Sequence, residues 1–335
     1  MFSSILSSIL SSSSFSSKDV SLKTIGNYYN RFKYYNQSQE NLENLNKFEC
    51  LIPLKSGKEF KISNSKLILK NRIGSNSRYG LVYLTLFNNF KYATKLTPIN
   101  KYNLNEIILV KKLSDITIQD LNPHFLLTYK LFICNNEFEI INLPRLIKED
   151  NYYIAVNELV NGNFKNFIYD NSVTNSLLLN ALQQIMISIL SFHHFTDGYF
   201  HNDCHYKNFL FYKIKPGGYF HYKIYNKDIY VKNMGYLWLI WDFGLVHKEQ
   251  DYKKRRFEDY FRILHFFLKN KTDFNDYKTL IIVEKLLKFK YTNFNIPNSN
   301  SDELFFNELC KIPQLFLFNK PPSAKIVNKK PYIIN

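Results

Sequence analysis

The chain has 335 residues, enough for one or two domains with a substantial core, and it is strongly basic, with a formal net charge of +16. Its 25 Tyr and 30 Phe, against 10 Gly and 10 Pro, indicate a folded globular protein and argue against a disordered one. The charge leaves nucleic acid, anionic membranes and acidic proteins open as partners, but it is spread along the chain, and no motif supports contact with nucleic acid.

Residues 1–20 are rich in Ser, and Ser also interrupts their apolar residues, which predicts a flexible tail and no secretory signal. No apolar run approaches the roughly 20 residues that a membrane span needs, so we expect no transmembrane span. Four cysteines, Cys50, Cys134, Cys204 and Cys310, lie far apart with no Cys-x-x-Cys pair. We therefore expect no zinc site, no disulfide framework and a reducing, cytoplasmic compartment.

The predicted elements change in character near residue 158. A polar N-terminal extension covers residues 21–64, with helical stretches expected near 25–32 and 40–48. Strands are then predicted at residues 66–70, 81–86, 91–96, 125–134 and 152–159, with one helix over 104–113 between the third and fourth strands. Residues 65–157 are thus predicted to form a small sheet with one packed helix.

Residues 158–335 are predicted to be mainly helical. Apolar residues recur at three- and four-residue steps over 176–194, and further helices are predicted over 259–268 and 280–289. Residues 212–236 contain a Pro-Gly-Gly turn signal and predict an extended β-hairpin insertion. The expected fold class is α+β.

Chemistry-bearing residues are concentrated at two places in this second half. His201, Asp203 and Asn208 follow the pattern His-x-Asp-x-x-x-x-Asn in an apolar frame, and Asp242 begins an Asp-Phe-Gly tripeptide after an apolar strand. A phosphoryl-transfer site needs one carboxylate that orients the acceptor hydroxyl, and an amide and a second carboxylate that hold magnesium. The order of these residues therefore predicts such a site.

The first half carries a turn suited to phosphate binding. Gly74 and Gly80 lie in the turn between two predicted strands, and Val82 follows them. Glycines let a backbone approach phosphates closely, although a plain hairpin turn would have a similar sequence.

Residues of opposite charge follow the turn. Ala93 and Lys95 lie on the next predicted strand, and Glu106 is the first acidic residue that follows Lys95. Glu158 ends a later strand that runs into a Gly-containing loop.

These motifs resemble those of the protein-kinase-like superfamily over roughly residues 65–270. The resemblance implies a bilobal fold with a small β-rich N-lobe, a shortened and mainly helical C-lobe, and ATP and Mg²⁺ as cofactors. It implies that Asp203, Lys207 and Asn208 are catalytic, and that Asn208 and Asp242 hold the metal. The residues implied to bind the nucleotide are Gly74, Gly80, Val82, Ala93, Lys95, Glu106 and Glu158. The resemblance also implies that Lys95 pairs with Glu106.

Several residues depart from the pattern of the family. Asn202 stands where many regulated protein kinases carry Arg, and His205 stands where Ser/Thr kinases carry Lys, as in the loops of small-molecule kinases. No Ala-Pro-Glu follows Gly244, and a helix is predicted to begin soon after it. Asp259 on this helix is expected to be the buried aspartate that braces the catalytic loop.

The expected function is transfer of the γ-phosphoryl group of Mg-ATP to a hydroxyl, by a divergent Ser/Thr-type protein kinase. Two alternatives stay open: a kinase for a small-molecule acceptor, favoured by His205, and a non-catalytic pseudokinase scaffold, favoured by the irregular glycine turn. The composition resembles that of kinase-like proteins of large DNA viruses, which implies the host cytoplasm or the virion as the location.

Overall fold

The computed structural model describes residues 28–45, 50–54, 59–62, 66–73, 80–100, 103–135, 151–170, 172–248, 252–269, 277–293 and 301–335. These residues form a mixed α+β structure, which confirms the expected class. They fall into two compact units. Unit 1 contains residues 29–115 and 126–159, and unit 2 contains Tyr28, residues 116–125 and residues from 160 onward.

Unit 1 is built on a seven-stranded antiparallel sheet. Its strands are β1 Leu51–Pro53, β2 Phe60–Ile62, β3 Ile68–Ile73, β4 Leu81–Phe87, β5 Phe90–Pro98, β6 Thr128–Asn135 and β7 Asn151–Glu158, in the spatial order β1-β2-β3-β4-β5-β7-β6. Strand β4 alternates buried and half-buried residues, as a strand with one covered face does. The five predicted strands are confirmed as β3 to β7, whereas β1 and β2 fall in the extension and were not predicted.

In the part of the chain that the structure describes, two helices accompany this sheet, α1 Asn30–Leu42 and α2 Leu104–Ile118, of which α2 confirms the predicted helix. Helical stretches were expected near 25–32 and 40–48; α1 overlaps the end of the first and the start of the second, and residues 25–27 and 46–48 lie outside the described residues. Helix α1 packs through aromatic rings, which its polar composition did not indicate. The ring of Tyr35 stacks on that of Tyr129, with the ring centroids 5.6 Å apart.

A disulfide joins Cys50 to Cys134, so the expectation that the chain has no disulfides was wrong. Cys50 immediately precedes β1, and Cys134 lies on β6, so the bond links the two opposite edges of the seven-stranded sheet. The partners are 84 residues apart in sequence, and only the curvature of the sheet brings its edges together. Cys204 and Cys310 are free.

Unit 2 combines helices with two small sheets. The helices are α3 Phe164–Ile168, α4 Asn175–Thr196, α5 Tyr252–Lys269, α6 Tyr277–Asn293 and α7 Ser301–Cys310. The strands are β8 Gly162–Asn163, β9 Phe209–Lys213, β10 Tyr219–Ile224, β11 Lys227–Lys232, β12 Tyr236–Ile240 and β13 Tyr332–Ile334, in the orders β12-β9-β8 and β11-β10-β13. The predicted hairpin is confirmed as β10–β11, and the long elements of the described part of unit 2 are helices, as expected, with six short strands beside them.

Helix α4 forms the core of unit 2. Thr174 caps its first turn by accepting a hydrogen bond from Leu177, and the helix ends at Asp197, whose φ of 52° is left-handed. Among the described residues it is the one helix long and apolar enough to cross a membrane by length and composition. The unit packs around it, however, and 78% of its apolar window is buried, as in the core helix of a globular domain.

The disulfide generates a stability prediction. Closing an 84-residue loop restricts the unfolded chain, so reduction should lower the free energy of unfolding by roughly 4.5 kcal/mol, measured by urea denaturation with and without reductant. Cys50→Ser should lose this dependence on reductant, and Cys310→Ser should keep it. Titration of thiols in denaturant without reductant should find two; finding four would contradict the bond.

Candidate functional site

An antiparallel ladder in unit 2 brings the two predicted motifs together. Strands β9 and β12 pair with Phe209 opposite Ile240, and the N–H of Trp241 donates to the carbonyl of Asn208 at 2.9 Å. The pairing therefore extends one residue beyond the strands. This extension places Asp242 beside the 3-10 turn Tyr206–Asn208, although a long hairpin separates them in sequence.

The carboxylate of Asp203 is held by the amide of Asn208. The Nδ2 of Asn208 donates to Asp203 Oδ2 at 3.0 Å and to the Asp203 carbonyl at 2.9 Å. The Nε2 of His205 lies 3.7 Å from the same Oδ2, and 26% of the Asp203 side chain is exposed. Asp203 is thus fixed in orientation while one side of its carboxylate stays accessible.

The backbone of Asp242 adopts a left-handed conformation, with φ 68° and ψ 77°. This conformation costs a non-glycine residue on the order of 1–3 kcal/mol and persists only where neighbours enforce it. Here His201 Nε2 lies 3.0 Å from the Trp241 carbonyl, and the ring of Phe243 stacks on that of Phe192 at 5.4 Å. Both neighbours of Asp242 are therefore fixed, and they hold its backbone in this conformation.

Asn208 and Asp242 suit a magnesium ion whose remaining ligands are substrate phosphates. Because Asn208 uses its Nδ2 on Asp203, its Oδ1 is left as the ligand atom, and Asp242 supplies a carboxylate. Mg²⁺ prefers oxygen ligands and commonly takes one or two carboxylates together with substrate phosphates. The described part of the chain contains no group of three or more His, Cys, Asp or Glu that could hold a metal.

Asp259 on α5 holds the loop that precedes Asp203, as the sequence predicted. Its fully buried carboxylate accepts the N–H of His201 at 2.6 Å and the N–H of Asn202 at 2.8 Å. Charge-assisted bonds of this kind are the strong ones inside a protein. The loop is therefore anchored by its backbone, independently of which side chains it carries.

His193 on α4 lies between two buried carboxylates. Its Nε2 is 2.9 Å from Asp259 Oδ2, and its Nδ1 is 2.8 Å from Asp302 Oδ1, to which Tyr260 also donates at 2.8 Å. An imidazole donates from both nitrogens only when it is protonated. Burial alone lowers the pKa of His193, but the charges and hydrogen bonds of Asp302 and Asp259 outweigh it and raise the pKa.

Unit 1 contains the predicted ion pair. Lys95 on β5 and Glu106 on α2 form a salt bridge, and their side chains are 4% and 2% exposed. Gly80, just before β4, permits the close approach of β5, because a Cβ at this position would lie 2.7 Å from the carbonyl oxygen of Leu96 and 3.0 Å from Cε of Lys95. The sheet is thus built closely around the lysine side chain.

The remaining predicted nucleotide contacts occupy different settings. Val82 pairs with Lys95 across β4 and β5, and Ala93 lies two residues before Lys95, so the three side chains share one face of the sheet. Glu158 is committed elsewhere: its carboxylate forms a buried salt bridge with Arg31 of α1 and accepts the N–H of Leu127 at 2.8 Å. Gly74 lies outside the described residues.

Sequence analysis missed Arg262, whose side chain reaches the loop from α5. Its Nη1 lies 4.0 Å from Asp203 Oδ1. The predicted Lys207 is half-buried, and its N–H donates to His205 Nδ1 at 3.1 Å. Burial raises the pKa of the Cys204 thiol, which disfavours a thiolate nucleophile at this position.

A cavity of about 400 Å³ in unit 2 shares no residue with this constellation. It is lined by α4, the β10–β11 hairpin and the segment around Phe316.

Comparison with known proteins adds no assignment. No family model matches the chain, and no curated protein matches its sequence.

The His193 geometry predicts a pH dependence of stability. Because folding raises the pKa of His193 above its unfolded value of about 6.5, its stabilising contribution is complete below that pH and declines as pH rises through the folded pKa. Asp302→Asn removes one carboxylate and should flatten this decline in urea denaturation at several pH values. Asp228→Asn, at the more exposed pair with His221, is the control; equal slopes for wild type and Asp302→Asn would contradict the prediction.

The buried pair in unit 1 predicts a large cost of removing one partner. Lys95→Met leaves the Glu106 carboxylate buried without its cation and should cost about 3–5 kcal/mol in urea denaturation, most of which Lys95→Met/Glu106→Leu should recover. Lys70→Met breaks the more exposed pair with Glu59 and should cost less than about 1 kcal/mol. Equal costs at the two sites would contradict this account.

Proposed function

We propose that the protein is an ATP-dependent phosphotransferase, a divergent Ser/Thr-type protein kinase with the lobes and cofactors of the kinase-like superfamily. One observation carries the proposal: the Asp203 carboxylate, the Asn208 amide and Asp242 lie together at one end of the β9–β12 ladder. A structural role alone would not require an accessible carboxylate beside a strained second aspartate.

Unit 1 supports the proposal independently. A lysine paired with a helix glutamate is the arrangement that positions nucleotide phosphates in protein kinases. Lys95 and Glu106 form such a pair, and Val82 and Ala93 provide apolar surface on the same face of the sheet. The strands and helix of unit 1 follow the order that the motif analysis predicted.

In this mechanism each residue has a distinct task. Asp203 accepts a hydrogen bond from the acceptor hydroxyl and aligns its oxygen for attack. Lys207 offsets the negative charge that develops on the transferring group. Lys95 binds the phosphates, and Asn208 Oδ1 and Asp242 provide oxygen ligands for magnesium, which neutralises phosphate charge when bound.

A small-molecule acceptor is the second candidate, and His205 favours it. The His205 ring caps the turn that follows Asp203, and its Nε2 lies 3.7 Å from the carboxylate, so a group bound there meets an imidazole rather than the lysine of Ser/Thr kinases. Assays with a panel of metabolites beside generic protein substrates separate the two candidates. A pseudokinase scaffold is the third, and it predicts no transfer to any acceptor.

Replacing Asp203 tests catalysis directly. Asp203→Asn preserves volume and one acceptor oxygen but weakens alignment of the hydroxyl, so transfer from radiolabelled ATP should fall by about a hundredfold or more. Thermal stabilisation by Mg-ATP should persist, because Asp203 is not assigned to the nucleotide. Asp197→Asn, the same change at a side chain that is 94% exposed, should keep full activity. Undiminished transfer by Asp203→Asn would refute the assignment.

A further inference from the structure

Two side chains of α5 form hydrogen bonds to Asn202, the residue before Asp203. Asp259 accepts the N–H of Asn202 at 2.8 Å. One helical turn later, Arg262 donates from Nη1 to the Asn202 carbonyl and from Nη2 to the Asn202 Oδ1 at 3.2 Å. Asp259 and Arg262, three residues apart on one helix, thus hold the backbone N–H and both oxygens of a single loop residue, and we call this arrangement the grip.

Asn202 needs such a grip because its backbone is left-handed, with φ 61°. Asparagine tolerates this conformation better than most residues, but the conformation still carries a cost and persists only where the surroundings enforce it. Asp203 follows directly, so the orientation of the Asn202 peptide sets the direction in which the Asp203 carboxylate points. The grip therefore acts on the residue proposed to align the acceptor.

The planar fork of arginine suits this task better than lysine. Two N–H groups of one guanidinium engage two oxygens of Asn202, a geometry that an ammonium group cannot reproduce. Nη1 also lies 4.0 Å from Asp203 Oδ1. The loop carries no cation of its own at position 202, so the cation beside Asp203 comes from α5.

We propose that Arg262 is a positioning residue: together with Asp259 it fixes the Asn202 peptide and, through it, the carboxylate of Asp203. This role rests on the proposed function for its effect on phosphoryl transfer. The grip itself is a property of the loop and is measurable without catalysis.

The kinetic test uses full-length protein and three variants. Arg262→Ala should lower kcat for transfer by roughly a hundredfold while KM for Mg-ATP changes little, because misplacing a reacting group affects the transition state more than nucleotide binding. Arg262→Lys should recover only part of the loss. Lys269→Ala removes the same charge from an exposed position at the end of α5 and should leave kcat unchanged.

Chemical rescue distinguishes positioning from general damage to the fold. The Arg262 side chain is 42% exposed, so free guanidinium at millimolar concentrations should reach the gap and restore part of kcat in Arg262→Ala but not in Arg262→Lys. Unchanged kcat in Arg262→Ala, or a loss that guanidinium does not restore, would overturn the proposal.

Amide hydrogen exchange separates this proposal from the proposed function. The amides of His201 and Asn202 should exchange faster in Arg262→Ala than in wild type and Lys269→Ala, while α4 exchanges equally in all three. Unchanged exchange at the loop would overturn the grip. Faster exchange at the loop, with no transfer by wild type to any acceptor, would refute the proposed function and leave the grip standing.

Discussion

The buried carboxylate of Asp259 is the constraint on which the rest of the unit 2 site depends. It accepts the N–H groups of His201 and Asn202 and faces the imidazole of His193. A buried charge is costly unless it is fully hydrogen-bonded. The hydrogen bonds that satisfy this charge therefore fix the loop before Asp203. They also link α4, α5 and α7, because the His193 ring contacts Asp259 through one nitrogen and Asp302 through the other.

Strain and anchoring occur together along this loop. Asn202 and Asp242 both have left-handed backbones, and each is flanked by hydrogen bonds or ring stacking that enforce the conformation. Asn202 directly precedes Asp203, and Asp242 is itself a candidate metal ligand. The strained backbone therefore occurs where phosphoryl transfer would depend most on the exact position of a group. A rigid loop on a β-ladder suits a catalytic site better than a mobile one, because alignment of reacting groups dominates phosphoryl transfer.

Among the described residues of unit 1, the buried charges form two ion pairs with different consequences. Lys95 and Glu106 link the sheet to α2, and Arg31 and Glu158 link α1 to the end of β7. The first pair leaves a lysine on the face shared with Val82 and Ala93, as a phosphate-binding role requires. The second commits the Glu158 side chain to Arg31 of α1, which removes that side chain from the nucleotide contacts that the resemblance implied. The disulfide then joins the sheet edges.

The sequence by itself determined the elements with strong periodicity and the residues whose spacing carries chemistry. Strands β3 to β7, helices α2 and α4, the β10–β11 hairpin, the Lys95–Glu106 pair and the bracing role of Asp259 were predictable, because local patterns and motif order encode them. Only the tertiary structure decided the Cys50–Cys134 bond, the contact of Asp302 with His193, and the reach of Arg262 to Asn202. These contacts join residues that are 84, 109 and 60 positions apart, and no local pattern records which distant side chains the packing brings together.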